Sequence, residues 1–299
     1  MRTFISFLFS VIFILPLIAG GDEGDSTATN NDLPHFSTFS TTRIVNGHSF
    51  ETHRARTLDF RITHRFGDIG GDNGGNHTLW GLDNSSDIRI AFEYALTDDL
   101  MIGAGRSKGG GAWREVWDGF GKYVVLRQSQ DHKMPLSVGV LGSGIVTGMV
   151  SSTDSSDVTF FAESSHRLAY TAQLFLARKF GERLSIQLTP SYSHRNYVAS
   201  DDVNDMLSMG ASLRFKISKV IALNIEYFYN FEQDRTINGL KVYDPLGFSL
   251  EFDVGGHVFQ IDLVNSAAIG ENQFIPYTTS NWADGEYRLG FTISRPFKL

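Results

Sequence analysis

The sequence predicts an all-β protein, a transmembrane antiparallel up-and-down β-barrel of about 12 strands with short turns at one end and long loops at the other. Three observations carry that prediction. Apolar and polar residues alternate with period two through one segment after another, connections alternate between long and short, and the chain opens on an apolar leader. Mean hydropathy of -0.13 and 20% charged residues resemble a soluble protein. A barrel wall gives the same average, because an apolar outer face cancels a polar inner one.

The leader comes first. Met1-Arg2-Thr3 carries one positive side chain, and Phe4–Ile18 is apolar except for Ser6, Ser10 and Pro16. The small residues Ala19-Gly20-Gly21 follow, the layout of a secretory signal peptide over residues 1–20. A run of about 15 residues falls short of the roughly 20 needed to span a bilayer, which favours a cleaved signal over an anchor. No cysteine follows, or occurs anywhere in the chain, which excludes a lipid-anchored lipoprotein, a disulfide scaffold, thiolate metal sites and thiol catalysis. With 33 acidic against 26 basic residues, nucleic acid is not expected as a partner. Lipid of the outer membrane of a Gram-negative bacterium is.

Residues 21–56 read as a polar lead-in carrying a small hairpin. Arg43–Phe50 contains Asn46-Gly47, a dipeptide suited to the positive φ angles of a two-residue turn. The barrel is expected over residues 57–299. Its strands read as Thr57–Phe66, Ile88–Leu96, Leu100–Arg106, Asp118–Gln128, Leu136–Gly142, Arg167–Phe180, Leu184–His194 and Leu207–Ile217, then Ile221–Tyr229, Leu246–Val254, His257–Leu263 and Tyr287–Phe297. Asp118–Gln128 is the least clear, since its glycines leave the outward face ambiguous. The lengths suit tilted strands of roughly 9–11 residues that cross a membrane. Long Gly/Asn/Asp/Ser-rich connections such as Gly67–Asp87 and Val264–Glu286 alternate with turns such as Thr97–Asp99 and Gly181–Arg183.

Leu184, Ile186, Leu188, Pro190 and Tyr192 share one strand face, opposite Ser185, Gln187, Thr189, Ser191 and Ser193. A soluble sandwich would bury the apolar face, whereas a barrel turns it to lipid. Phe66, Phe180, Tyr192 and Tyr229 sit at strand ends on the apolar face, as interfacial aromatics do.

Leu58–Asp68, Leu79-Trp80-Gly81-Leu82-Asp83-Asn84 and Asp118-Gly119-Phe120-Gly121-Lys122-Tyr123 resemble blocks of an uncharacterised outer-membrane β-barrel family of Bacteroidota. The resemblance covers the chain from about Thr41 to its end. It implies an outer-membrane location and brings no activity or catalytic residue with it.

The functional candidates are charges on the inward face: Arg61, Arg65, Arg89, Glu93, Arg214, Glu226, Glu251, Asp253, Asp262 and Arg288. Basic residues fall mainly on the first eight strands and acidic ones on the ninth to eleventh, so a basic wall is expected to face an acidic one. Such a transverse field would orient a small polar solute in a narrow channel or binding barrel. The alternative is a sealed barrel acting through its loops, with Phe160, Phe161, Trp113 and Trp117 as contact points. No cofactor or metal is expected, because the nine histidines show no ligand spacing. An enzyme is not expected either. Of the one suggestive cluster for a membrane-embedded hydrolase, Ser193-His194-Arg195 with Asp201-Asp202 near a loop base, Ser193 and His194 are adjacent on a strand and point to opposite faces.

Overall fold

The computed structural model describes Ser37–Leu299 apart from His132, Ser156 and Gly255. The expected signal peptide and the polar stretch behind it lie outside the described residues. Twelve long strands are described: β1 (Thr57–Asp68), β2 (Ser85–Ala95), β3 (Leu100–Lys108), β4 (Glu115–Leu126), β5 (Ser137–Thr147) and β6 (Leu168–Phe180), then β7 (Leu184–Arg195), β8 (Asp205–Lys216), β9 (Ile221–Asn230), β12 (Leu246–Val254), β13 (His257–Val264) and β14 (Arg288–Lys298). Each pairs antiparallel with its neighbour in this order, and β14 returns to β1 with Ile293 opposite Ile62, closing the barrel. Closure leaves no unpaired sheet edge, the condition for a sheet to cross lipid.

Burial fixes which face is which. Outward Ile90, Phe92, Ile102 and Ile261 are 46%, 52%, 43% and 56% exposed, while inward Arg61, Glu93 and Lys122 are at most 1% exposed. A soluble sandwich has the opposite arrangement. On β7 the apolar Leu184–Tyr192 face is outward and Ser185, Gln187, Thr189, Ser191 and Ser193 are buried, as the alternation predicts.

Two strands depart from expectation. β5 runs five residues past Gly142, because Gly142 and Gly144 face outward and hide the alternation while Ser143, Ile145 and Thr147 stay buried inside. β4 is shifted towards the amino terminus, spanning 115–126, and a register break between Val124 and Leu126 interrupts its ladder with β5 before the last pair, Leu126 with Val138. The expected segregation of connections fails at one turn: 127–136 is longer than the loops 109–114 and 196–204 on the opposite rim. An extra two-stranded ladder, β10 (Thr236–Ile237) with β11 (Leu240–Lys241), stands in a long loop. Its turn is Asn238-Gly239, with φ of 50° and 77°, the left-handed pair that a two-residue hairpin requires.

The barrel is not empty. Ser37–Glu51 enters at the short-turn rim, rises inside the lumen and returns to β1 through Thr52–Arg56. At that rim the Ala55 N–H donates to Asp98 Oδ1 at 2.7 Å. Phe39, Ile44, Val45 and Phe50 of this plug pack with Met101, Phe120, Val124, Leu141, Phe175 and Val264 of the wall into one apolar cluster. From the opposite rim the loop 265–287 folds inward, and its one-turn helix Glu271–Phe274 is buried. Phe274 packs edge-on against Phe228, 5.4 Å between ring centres. This explains the puzzling β4. Its inward Phe120 and Val124 are apolar because the plug covers them, not because they meet lipid.

Candidate functional site: the occupied lumen

The expected two walls do not form. Arg65 pairs with Asp262 at 2.8 Å, Arg89 with Asp118 at 2.6 Å, Arg214 with Glu251 at 2.8 Å and Arg288 with Asp68 at 2.9 Å. Arg61 pairs with Asp59 two residues before it, at 3.1 Å. Positive and negative groups are therefore interleaved around the lumen, and the transverse field cancels locally. The reason is that Asp59, Asp87, Glu93 and Asp118 on β1, β2 and β4 also face inward. A buried charge without a partner is costly, so pairing within the wall is favoured. Asp253 is corrected as well. It is exposed near the end of β12 and joins no ion pair among the described residues.

Several wall charges also hold the plug, Glu93, Glu226 and Lys122 foremost. Glu93 lies 3.3 Å from Arg43 Nε, and its other oxygen accepts the Thr42 hydroxyl at 3.1 Å. Glu226 accepts the backbone N–H of Asn46 at 3.1 Å and of Gly47 at 3.0 Å. Lys122 donates to the carbonyls of Thr42 and Ser49 at 3.2 and 3.1 Å. Two amides complete the seat. Gln260 donates to the Ile44 carbonyl at 2.8 Å. Gln187 donates to the His48 carbonyl at 2.9 Å while accepting the Phe50 N–H at 2.7 Å. Arg65 reaches Asn46 Oδ1 at 2.7 Å, and the Ser40 hydroxyl donates to Glu251.

The chain folds back on itself here, but not through the turn expected of Asn46-Gly47. Arg43 and His48 bridge across a four-residue loop, closed by the Ile44 N–H on the Gly47 carbonyl at 2.9 Å. Neither Asn46 nor Gly47 has positive φ. The Glu226 carboxylate holds both N–H groups and so dictates the turn. Gly47 is needed there for space: a Cβ would sit 2.9 Å from Glu226 Oε2 and 3.2 Å from Phe228.

The plug meets the inward-folded loop in mid-lumen. Glu271 lies 3.6 Å from Arg43 and 3.8 Å from His48, and Asn46 Nδ2 donates to Ser266 Oγ at 2.7 Å. Burial, with the Arg43 and Lys122 cations next in weight, holds the His48 imidazole well below its ordinary range, so it is neutral. Burial pushes the Glu51 carboxyl up against the opposing pull of the Phe39 and Thr38 N–H groups and of Arg127.

Sequence reasoning missed Lys122, Gln187 and Gln260, which carry no pattern of their own. Of the expected contact points, Trp113 and Phe161 are buried against each other at the long-loop rim, 6.1 Å between ring centres. Trp117 stands exposed on the outer wall. Ser193 faces inward, hydrogen-bonded to Thr171 at 3.0 Å, and His194 faces outward to Asp205 at 2.8 Å.

A closed wall, apolar outside and charged inside, with its lumen occupied by the chain's own amino-terminal hairpin, defines a plugged membrane-spanning β-barrel. The chain belongs to the family described as "Membrane bound beta barrel domain (DUF5777)", which matches residues 39–297. Among solved structures, it is similar to the KdgM porin, at 8% identity over 81% of this chain and 99% of that one, with a TM-score of 0.48. An outer membrane channel from Pseudomonas putida F1 shares 14% identity over 83% of this chain and 98% of that one, with a TM-score of 0.48. The outer membrane protein Omp33 of Acinetobacter baumannii shares 8% identity over 81% of this chain and 98% of that one, with a TM-score of 0.44. No curated protein matches the sequence.

Proposed function

We propose that this protein is a gated outer-membrane channel for small polar solutes, exported by a cleaved amino-terminal signal and closed at rest by the Ser37–Glu51 hairpin. One observation carries the reading: a separate chain segment, rather than wall side chains, fills the lumen. Twelve strands enclose more than the eight whose interior is filled by side chains. The pairs Arg65–Asp262, Arg89–Asp118, Arg214–Glu251 and Arg288–Asp68 lie within the barrel wall and survive the plug's departure. They would leave a polar space where the hairpin sat, with short turns on the periplasmic side and long loops outside, and the loop 265–287 has to give way at the other end for a solute to pass. The reading involves no catalysis.

Planar-bilayer recording of the native chain and of Gly47→Leu tests it. The native protein is expected to conduct rarely. The variant, whose side chain collides with Glu226, is expected to conduct steadily. Silence from both would leave the second reading, a sealed barrel acting through its loops. That reading draws on the loop 265–287, which fills the other end of the lumen.

A further inference from the structure

We infer that the lumen is a binding site for peptide main chain, and that the cargo class of the opened barrel is short linear peptides. This rests on the gated-channel reading and narrows its solute. The wall addresses the plug chiefly through its backbone. Thr42, Ile44, His48 and Ser49 offer carbonyls to Lys122, Gln260, Gln187 and Lys122 in turn, while Asn46, Gly47 and Phe50 offer N–H groups to Glu226 and Gln187.

Gln187 is the most telling. One primary amide gives its N–H to a carbonyl and takes the N–H two residues on, the alternation of donor and acceptor that an extended peptide edge presents. Groups that read main chain do not depend on the plug's own side chains, so another peptide of compatible shape can compete for them. Two positions add selectivity. Arg43 faces Glu93 and Glu271, which asks for a cation there. Four residues later Gly47 abuts Glu226, which asks for the smallest residue. An oligosaccharide offers hydroxyls and lacks the paired N–H groups that the Glu226 carboxylate takes from consecutive residues.

The test uses the full-length Gly47→Leu protein in planar bilayers, with a synthetic Thr41–Glu51 peptide added on the short-turn side. The native-sequence peptide is expected to block the current. The same peptide with Leu in place of Gly47 is expected to need about tenfold more, a difference of about 1.4 kcal/mol. Gln187→Ala in the same background should weaken the block similarly, and maltohexaose should not block. Current that no peptide blocks, or that maltohexaose blocks equally well, overturns the inference while leaving the channel intact.

If Gly47→Leu passes no current, the channel reading fails, and anisotropy of a fluorescein-labelled Thr41–Glu51 peptide on the detergent-solubilised variant decides the peptide site alone. Saturable binding upholds it and absence of binding overturns it. Should Gly47→Leu fail to fold, Arg43→Glu unseats the plug by charge and leaves the wall untouched.

Discussion

Glu93 is where closure can be broken without harming the wall. Its carboxylate is fully buried, with Arg43 at 3.3 Å, Arg61 at 3.8 Å and Arg89 at 3.9 Å. Glu93→Gln removes the anion and keeps the shape. The three cations are not left equally exposed to the loss. Arg61 retains Asp59 at 3.1 Å, and Arg89 retains a two-point contact with Asp118 at 2.6 and 3.0 Å. Arg43 retains Glu271 at the longer distance of 3.6 Å and the Phe120 ring at 5.8 Å. The penalty therefore falls on the plug.

Removing one partner of a buried ion pair costs about 3–5 kcal/mol. Because Arg43 keeps Glu271 and the new amide can still accept from Thr42, the low end applies. About 3 kcal/mol is roughly a hundredfold shift in the ratio of seated to released plug. Single-channel recording should show the open fraction rise by that order, while the heat-shifted gel mobility of the folded barrel stays unchanged. Arg43→Met alone should open the channel less, since Glu93 keeps Arg61 and Arg89. The double variant should be tighter than the sum of the singles, because no buried charge is stranded. Strict additivity, or a Glu93→Gln barrel that loses thermal stability without gaining current, would refute the assignment of Glu93 to the plug.

Acid should loosen the plug through His48. The seated imidazole faces the Arg43, Lys122, Arg89 and Arg61 cations, with Glu271 at 3.8 Å and the Phe120 ring at 4.4 Å. Above its ordinary value of 6.5 it is neutral whether seated or released, and its contribution to closure is whole. Below that value only the released form gains a proton, so closure weakens as pH falls until the lower seated value is passed. Glu51 acts in the opposite sense nearer pH 4.5, since its seated carboxyl protonates before the released one. Open fraction should thus climb between pH 7 and about pH 5.5, and a His48→Gln protein showing the same climb would remove His48 from the account. On the outer wall, Ile90→Arg places a charge at mid-strand on the lipid face, at a cost of about 2–4 kcal/mol in folding into vesicles. Unchanged folding yield there would contradict the membrane-facing assignment.

The sequence makes the outer face legible and the inner one only half so. Ile88, Ile90, Phe92 and Tyr94 alternate because lipid demands the same thing of every outward residue. Inward residues answer to individual partners. Arg65 is readable as inward, but its partner Asp262 lies 197 positions away and is set by the register of β1, β14 and β13. Lys122 and Phe120 alternate with Gly119, Gly121 and Tyr123, a pattern that makes sense only once the plug is placed against it. The Asn-Gly rule shows the same limit. It works at Asn238-Gly239, where a solvent-side loop lets local preference decide. It fails at Asn46-Gly47, where the Glu226 carboxylate outweighs that preference.

That failure also bears on what the hairpin is for. The hairpin turns much of its main chain outward to Gln187, Gln260, Lys122 and Glu226, and places Arg43 on Glu93 and Glu271 and Glu51 by Arg127. Each of those groups is readily hydrated, so water entering behind a departing plug replaces much of what is lost. What water cannot replace is the apolar cluster of Phe39, Ile44, Val45 and Phe50. The seated hairpin is thus held chiefly by burial, which acts without regard to orientation, and positioned by hydrogen bonds, which are exchanged at small net cost. Glu271 joins this balance to the long-loop rim, because the same carboxylate touches Arg43 and His48 and belongs to the loop 265–287. A ligand that draws that loop outward would withdraw Glu271 from Arg43 and Ser266 from Asn46, and leave Glu93 as the remaining carboxylate contact of Arg43 among the described residues, so the plug and the long-loop rim meet through Glu271 and Ser266 together.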